Sequence, residues 1–340
     1  MGIVSRFVEQ LSRGVAAAGL ILPLLAGCAG SAPDPAPVSR RAGRYAMGTV
    51  LEITVEAPTE AEANAAMEDV FRLAADLERI FTVFEPESPL SRLNRGAGGS
   101  PQAVDPEIAR ILSESVAYWR LTAGTFDVTI GPLVDLWRMA ARRDRLPGKA
   151  ELTASLALVG SDKIRVREDG RVALERAGMS VNLGGIAKGY ALDRMEEWLR
   201  GRDTSKAFVS FGQSSTLAVG KPTGGSGWRV LLNDANKGFA GIVTLRDQSL
   251  SVSSSFGHWS GIAGQRYGHV IDPRSGEAMT RSAQAVVLAP SGALAEALSF
   301  GCQLVDRNPA VVGIEACAIV PEWNVLPPTH PCCCETGHHA

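Results

Sequence analysis

Between Val181 and Arg194 the chain reads VNLGGIAKGYALDR. The adjacent Gly184 and Gly185 let a backbone approach its neighbour closely, and the residues after them have the composition of a helix. A helix beginning near Ile186 would turn its first amide N–H groups and the positive end of its dipole toward an anion, with Lys188 adding a point charge in the first turn. The spacing matches neither GxxxxGK(S/T), because Gly189 follows Lys188, nor GxGxxG. Two readings stay open: a cradle for phosphate, or a tight turn leading from a strand into a buried helix.

Four further stretches carry residue types suited to chemistry. In GTFDVTIGPLVDLW, Asp127 lies between apolar residues and is followed by Thr129 and a Gly-Pro turn. Such a carboxylate either hydrogen-bonds a ligand or braces its own loop. SFGQSSTLAVG sets Gln213, Ser214, Ser215 and Thr216 between two strands, either as ligand-facing hydroxyls or as a solvated hairpin. In YGHVIDPRSGEAM, His269 stands three residues before Asp272, and an imidazole suits proton transfer near neutral pH. The DPRSG segment is an Asx-Pro turn closing on Gly276. Finally, Met47, Phe84 and Asn94 supply the apolar surfaces and amide donors that a planar aromatic ligand requires.

The elements positioning these residues follow from periodicity. VLEITVEA alternates as a half-buried strand. After it, Thr59 and Glu62 form a capping-box pair, and Met67, Val70, Phe71, Ala74, Leu77 and Ile80 recur at helical spacing. PESPLSRLNRGAGG reads as a loop. A second helix runs through EIARILSESVAYWRL, with Gly124 near its C-terminus. Asp169-Gly170 is a hairpin turn, and AFVSF, STLAV, WRVLLND, GIVTL and AQAVVLAP read as strands. GALAEALSFGCQLV is a helix. Long helices beside mostly antiparallel strands, without βαβ alternation, give an α+β fold with mixed, mostly antiparallel sheets.

The chain has 340 residues, 45% of them hydrophobic, and a formal charge of -2, which excludes a strongly basic nucleic-acid binder. Arg6 and Arg13 precede an apolar run from Val15 to Leu25 that is too short to span a membrane and has the layout of a secretory signal. It ends Leu25-Ala26-Gly27-Cys28, similar to the lipobox of bacterial lipoproteins, whose cysteine is acylated after cleavage; the alternative is an ordinary signal with an incidental cysteine. Residues 1–27 are thus read as the signal and residues 28–43, rich in Pro, Ala and Ser, as a flexible tether. This predicts a domain held at the periplasmic face of the cell envelope by a lipid on Cys28.

The order AMGT, SPLSRLN, GTFDVTIGPL, VNLGGIAKGYALD, SFGQSSTLAVG, YGHVIDPRSG, running from Arg44 to Pro290, resembles the FAD:protein FMN transferase (ApbE) family. The resemblance implies a Mg²⁺-dependent reaction in which FAD is split at its pyrophosphate. The FMN half passes to a Thr or Ser hydroxyl of an acceptor protein, such as a subunit of a membrane redox complex, and AMP leaves. Alternatives are hydrolysis of FAD to FMN and AMP, or a degenerate flavin-binding lipoprotein. By matching position, Met47 and Phe84 would pack on the flavin, with Asn94 among the cofactor contacts. Thr125, Phe126 and Asp127 would line the cofactor, and Asn182, Lys188 and Ile271 would contact it. Gly185, through its carbonyl, and Glu296 would bind Mg²⁺. His269 would accept the hydroxyl proton, with Asp272 beside it in the catalytic set. The implied domain spans residues 44–300.

The C-terminal helix departs from the pattern. Where the family usually reads ADALST, this chain reads AEALSFG: Glu296 replaces Asp, and Phe300, which cannot ligate a metal, replaces Thr. The likeness ends there, leaving a Cys- and Pro-rich tail over residues 301–340. That tail is a divergent end, a metal-binding extension using His330, Cys332, Cys333, Cys334, His338 and His339, or the product of a shifted reading frame near Ser299 without structure of its own.

Overall fold

The computed structural model describes residues 36–202, 204, 206–233, 238–255, 259–281, 283–304 and 316–320. Cys28, the signal and the His/Cys cluster of the tail lie outside these residues. Strands β1 (Val38–Ala46) and β2 (Thr49–Ala57) form an antiparallel hairpin. Its turn needs two residues with positive φ, and Met47 (φ 51°) and Gly48 (φ 78°) supply them. Leu51, Ile53 and Val55 are buried, as the alternation requires. Strand β1 corrects the tether boundary, because residues Val38 to Gly43, read as tether, are part of a paired strand. It is an edge strand whose Arg41 and Arg44 pair with Glu52 and Glu68, and edge strands carry charge that composition alone reads as linker.

Helix α1 (Glu60–Phe81) has the capping box of Thr59 and Glu62 and buries the predicted stripe. Helix α2 (Pro89–Arg95) lies in the stretch read as a loop; Ser88 Oγ accepts the Ser91 N–H and starts a turn too short to show periodicity. The chain continues through β3 (Gln102–Ala103), α3 (Pro106–Leu121), α4 (Gly131–Arg143) and α5 (Lys149–Leu156). The Gly-Pro pair read as a turn instead begins α4, where Pro132 sits in a first turn that tolerates its missing N–H. Then come β4 (Ile164–Val166), β5 (Arg171–Leu174), α6 (Ala187–Arg200), β6 (Ala207–Phe211) and β7 (Ser215–Val219). The last elements are β8 (Trp228–Asn233), β9 (Phe239–Leu245), β10 (Gln248–Ser254), β11 (Trp259–Ile262), β12 (Gln265–Gly268), β13 (Gln284–Ala289), α7 (Gly292–Gln303) and β14 (Ala316–Val320).

The main sheet has seven strands in the order β1-β2-β6-β7-β10-β13-β14, every neighbouring pair antiparallel. Strands β3-β5-β4 form a small second sheet, and β8-β9 and β11-β12 are separate hairpins. The fold is α+β, as expected. Helix α7 runs to Gln303, past residue 300, and β14 pairs with β13 within the Cys- and Pro-rich tail.

Helices α6 and α7 cross with their backbones in contact. A Cβ on Gly189 would lie 2.2 Å from the Gly292 carbonyl oxygen, so only glycine permits this approach. Each helix then supplies a carboxylate to the first turn of the other. Asp193 of α6 accepts the Ser291 hydroxyl (2.8 Å) and the N–H groups of Gly292 (2.5 Å) and Ala293 (3.0 Å). Glu296 of α7 accepts the N–H of Gly189 (2.9 Å).

Burial pushes the Asp193 carboxyl up to about 6 from 3.8, against the lowering effect of its bonds from Ala293, Gly292 and Ser291. An acid whose folded-state value is raised favours the folded state most when protonated, so this contribution is full below pH 3.8 and lost as pH rises through 6. Asp193→Asn therefore gains relative to the parent by roughly 2 kcal/mol between pH 4 and pH 7. Urea unfolding of both proteins at the two pH values measures that difference, and a pH-independent difference refutes it.

Candidate functional site

The site is built on three loops held by side chains that grip backbone. At the end of α3 the Gly124 N–H reaches back to the Trp119 carbonyl (2.9 Å), and Thr125 Oγ1 donates to the Thr122 carbonyl (2.9 Å). Asp127 follows, 6% exposed. Its Oδ1 accepts the Thr129 N–H (2.8 Å), the Thr129 hydroxyl (2.6 Å) and the Ser161 hydroxyl (2.7 Å), and its Oδ2 accepts the Ser161 N–H (3.0 Å). A buried carboxylate is stable only when surrounded by donors in this way. The result is a brace between the 124–131 loop and residues 160–161.

The second loop leads into α6. Asn94 receives the Val181 N–H (2.8 Å) on Oδ1 and donates Nδ2 to the Val181 carbonyl (3.0 Å), while the Asn182 N–H bonds the Val128 carbonyl (2.8 Å). Asn182 Oδ1 then accepts the Gly184 N–H (2.9 Å), closing an Asx turn. The third loop is a hairpin from Gly268 to Met279. It is pinned by α4, whose Trp137 donates Nε1–H to the Gly276 carbonyl (2.8 Å) and packs on Tyr267 with ring centres 5.1 Å apart.

The loops converge on a cavity of about 270 Å³ whose wall includes Thr125, Phe126, Asp127, Asn182, Gly185, His269 and Ile271. These seven positions were singled out in the sequence, although 144 residues separate Thr125 from His269. His269 is exposed on the wall. A second cavity of about 340 Å³ shares Asn182 and is lined by Phe84, Asn94, Arg95 and Arg138. Phe84, 81% exposed, presents its ring there.

Several expected roles change. Met47 forms the β1–β2 turn and lines neither cavity. Asn94 lines the second cavity, but its amide is engaged by Val181. Asp127 lines the first, yet its carboxylate braces the loop. Asp272 faces its own turn: its carboxylate takes Arg274 N–H (2.9 Å), Nε (3.0 Å) and Nη2 (2.7 Å), and it is absent from the cavity wall. Burial alone would raise the Asp272 carboxyl, but the Arg274 guanidinium and amide outweigh it and hold it below the ordinary aspartate value. Its carboxylate braces its own turn.

Lys188 and Glu296 depart furthest from expectation. The Lys188 ammonium lies 3.1 Å from Glu296 Oε1, and the Ser215 hydroxyl donates to the same oxygen at 2.5 Å. With the Gly189 N–H on Oε2, the donors expected to face an external anion hold an internal one. Glu296 is 2% exposed and does not line the cavity. The ring of Phe300, one turn further along α7, does line it, and a Cβ on Gly185 would lie 3.3 Å from that ring. Mg²⁺ needs several convergent oxygen ligands. Here the one carboxylate is occupied, hydrocarbon covers Gly185, and among the described residues no three His, Cys, Asp or Glu side chains converge. The implied pair of Gly185 and Glu296 does not fit Mg²⁺. Sequence reasoning missed Phe300 as a wall residue, and missed Ser161 and Ser215 as carboxylate partners; Ser215 was visible only as one hydroxyl in the QSST row.

An antiparallel sheet with loops converging on two neighbouring cavities defines an α+β protein with a candidate small-molecule site. The chain belongs to the ApbE family, whose sequence profile matches residues 47–315, extending past Phe300 where the motif likeness ended. The FAD:protein FMN transferase of Vibrio cholerae is 28% identical over 309 residues, covering 89% of this chain and 90% of that one. The FAD:protein FMN transferase of Klebsiella pneumoniae is 29% identical over 249 residues, covering 73% and 76%. Among solved structures, the ApbE protein of Thermotoga maritima matches with a TM-score of 0.70 at 25% identity, covering 78% of this chain and 86% of that one. The flavin transferase ApbE of Vibrio cholerae gives 0.69 at 25% identity, covering 78% and 87%.

The brace at Asp127 makes a direct prediction. Asp127→Ala leaves the donors of Ser161 and Thr129 without a partner and lowers unfolding stability by about 2–4 kcal/mol. Asp127→Asn, which keeps one oxygen, recovers part of that loss. Urea denaturation midpoints measure both, and an Asp127→Ala protein as stable as the parent contradicts the brace.

Proposed function

We propose that this chain is an enzyme that binds FAD across the two cavities and transfers its FMN half to a Thr or Ser hydroxyl of an acceptor protein. The observation that carries this reading is the convergence of the 124–131, 181–185 and 269–273 loops on one cavity, in a chain whose curated relatives are named FAD:protein FMN transferases. Together the cavities are of the size of small-molecule pockets, about 300–1,000 Å³. Asn182, common to both, marks where the two halves of an elongated dinucleotide join.

In the step itself the acceptor oxygen bonds to the phosphorus of the FMN half. The bond from that phosphorus to the bridging oxygen breaks, and AMP departs with that oxygen. The hydroxyl proton passes to the imidazole of His269, which is exposed on the cavity wall. The braced loops keep the reacting groups in place, and such transfers depend mostly on positioning. No step is assigned to Mg²⁺, whose implied ligands do not fit. A lipid on Cys28, if the N-terminal segment is processed as its sequence predicts, holds the domain at the periplasmic face of the membrane.

Purified protein incubated with FAD and an unmodified acceptor carrying a Thr in its flavinylation motif tests the reading. The expected outcome is covalent flavin fluorescence on the acceptor and equimolar AMP. AMP without labelled acceptor makes the protein a hydrolase, and retained FAD without turnover makes it a flavin-binding protein. His269→Ala is expected to slow transfer by about 100-fold or more while FAD affinity holds. Radiolabelled palmitate should be incorporated by the parent in cells and lost in Cys28→Ser; equal labelling of the two removes the anchor from Cys28.

A further inference from the structure

We infer that the acidic position of α7 is held in this chain by an internal ammonium, so that Glu296 and Gly185 do not form a divalent-cation site. The meaning of the inference for catalysis rests on the FAD reading above; its physical basis does not. Glu296 Oε1 accepts from Lys188 Nζ at 3.1 Å and from Ser215 Oγ at 2.5 Å, and Oε2 accepts from the Gly189 N–H at 2.9 Å. At 2% exposure the carboxylate has protein on all sides. A cation bound to it would have to displace Lys188 or stand beside a full positive charge in a poorly solvated place.

Two further features point the same way. Phe300 follows Glu296 by four residues, so both side chains lie on one face of α7. The position that would offer a second oxygen toward the same point instead puts a phenyl ring against Gly185. Lys188 and Glu296 also neutralise each other. A metal in such a place offsets the charge of a carboxylate beside a phosphate; here the carboxylate arrives already offset, and a pyrophosphate in the cavity faces no unpaired negative group from α7.

The test is a Mn²⁺ titration of the full chain in detergent, followed by electron paramagnetic resonance with FAD absent. The parent is expected to show no stoichiometric Mn²⁺ site, and the double variant Lys188→Gln/Phe300→Thr, which removes the ammonium and restores a second oxygen one helical turn from Glu296, to bind one Mn²⁺ per chain at least about tenfold more tightly than the parent. A stoichiometric site in the parent overturns the inference, as does a cooperatively folded double variant that gains no affinity. Should that variant not fold, the parent decides through FAD affinity measured by fluorescence in EDTA and in Mg²⁺. Values within about twofold of each other support the inference, and a loss of about tenfold in EDTA overturns it. Absence of FAD binding in both buffers overturns the flavin reading instead, while the Mn²⁺ titration still judges the metal.

Discussion

The reciprocal capping of α6 and α7 is the constraint on which the site depends. Two glycines, Gly189 and Gly292, bring the helix backbones within contact distance. At that separation each first turn lies within reach of a carboxylate on the other helix, Asp193 for α7 and Glu296 for α6. A helix N-terminus favours a nearby carboxylate, although at Asp193 burial outweighs that preference and raises the carboxyl. The two interactions also fix the rotation and translation of one helix against the other, since a shift of one residue separates both pairs. The start of α6 is where the GGIAKG loop enters, so the geometry of that loop is set by α7, more than a hundred residues later.

That arrangement explains why a phosphate-cradle pattern need not leave its donors open. Leu183 accepts the N–H groups of Ile186 and Ala187, Asn182 takes that of Gly184, and Glu296 takes that of Gly189. The electrostatic preference of a helix start for negative charge is satisfied from inside the protein. Glu296 meets amide, ammonium and hydroxyl together, from Gly189, Lys188 and Ser215.

The fold was legible where periodicity is strong and burial one-sided. The stripe of α1 and the alternation in β2 each follow from one-face burial, and both were read correctly. Strand β1 and helix α2 were not. An Arg-rich edge strand looks like a linker because its order comes from pairing with β2, and a seven-residue helix has too few turns to show a period. Helix α4 hid behind Gly131-Pro132, since the same pair suits a turn and a helix start. Strand β14 lies in a Cys- and Pro-rich stretch with no alternation to mark it, since strand pairing is a backbone property that composition constrains weakly.

The site divides along a different line. Seven of the singled-out residues do meet at the cavity, because residue types that can do chemistry in an apolar context are rare enough to be noticed one at a time. What the sequence does not encode locally is direction. Asp127, Asp272, Asn94 and Glu296 all have the chemistry of ligand-contacting groups, and all four turn to protein donors instead. The reason is general: loops that must hold an open cavity have few apolar contacts to keep their shape, so their backbones are fixed by buried polar side chains. These residues resemble binding groups because they do bind, but what they bind is the loop. The cavity wall also carries the exposed His269, the polar Thr125 and Asn182, and the apolar Phe126, Ile271 and Phe300. It is this smaller set, positioned by the larger one, that any ligand meets.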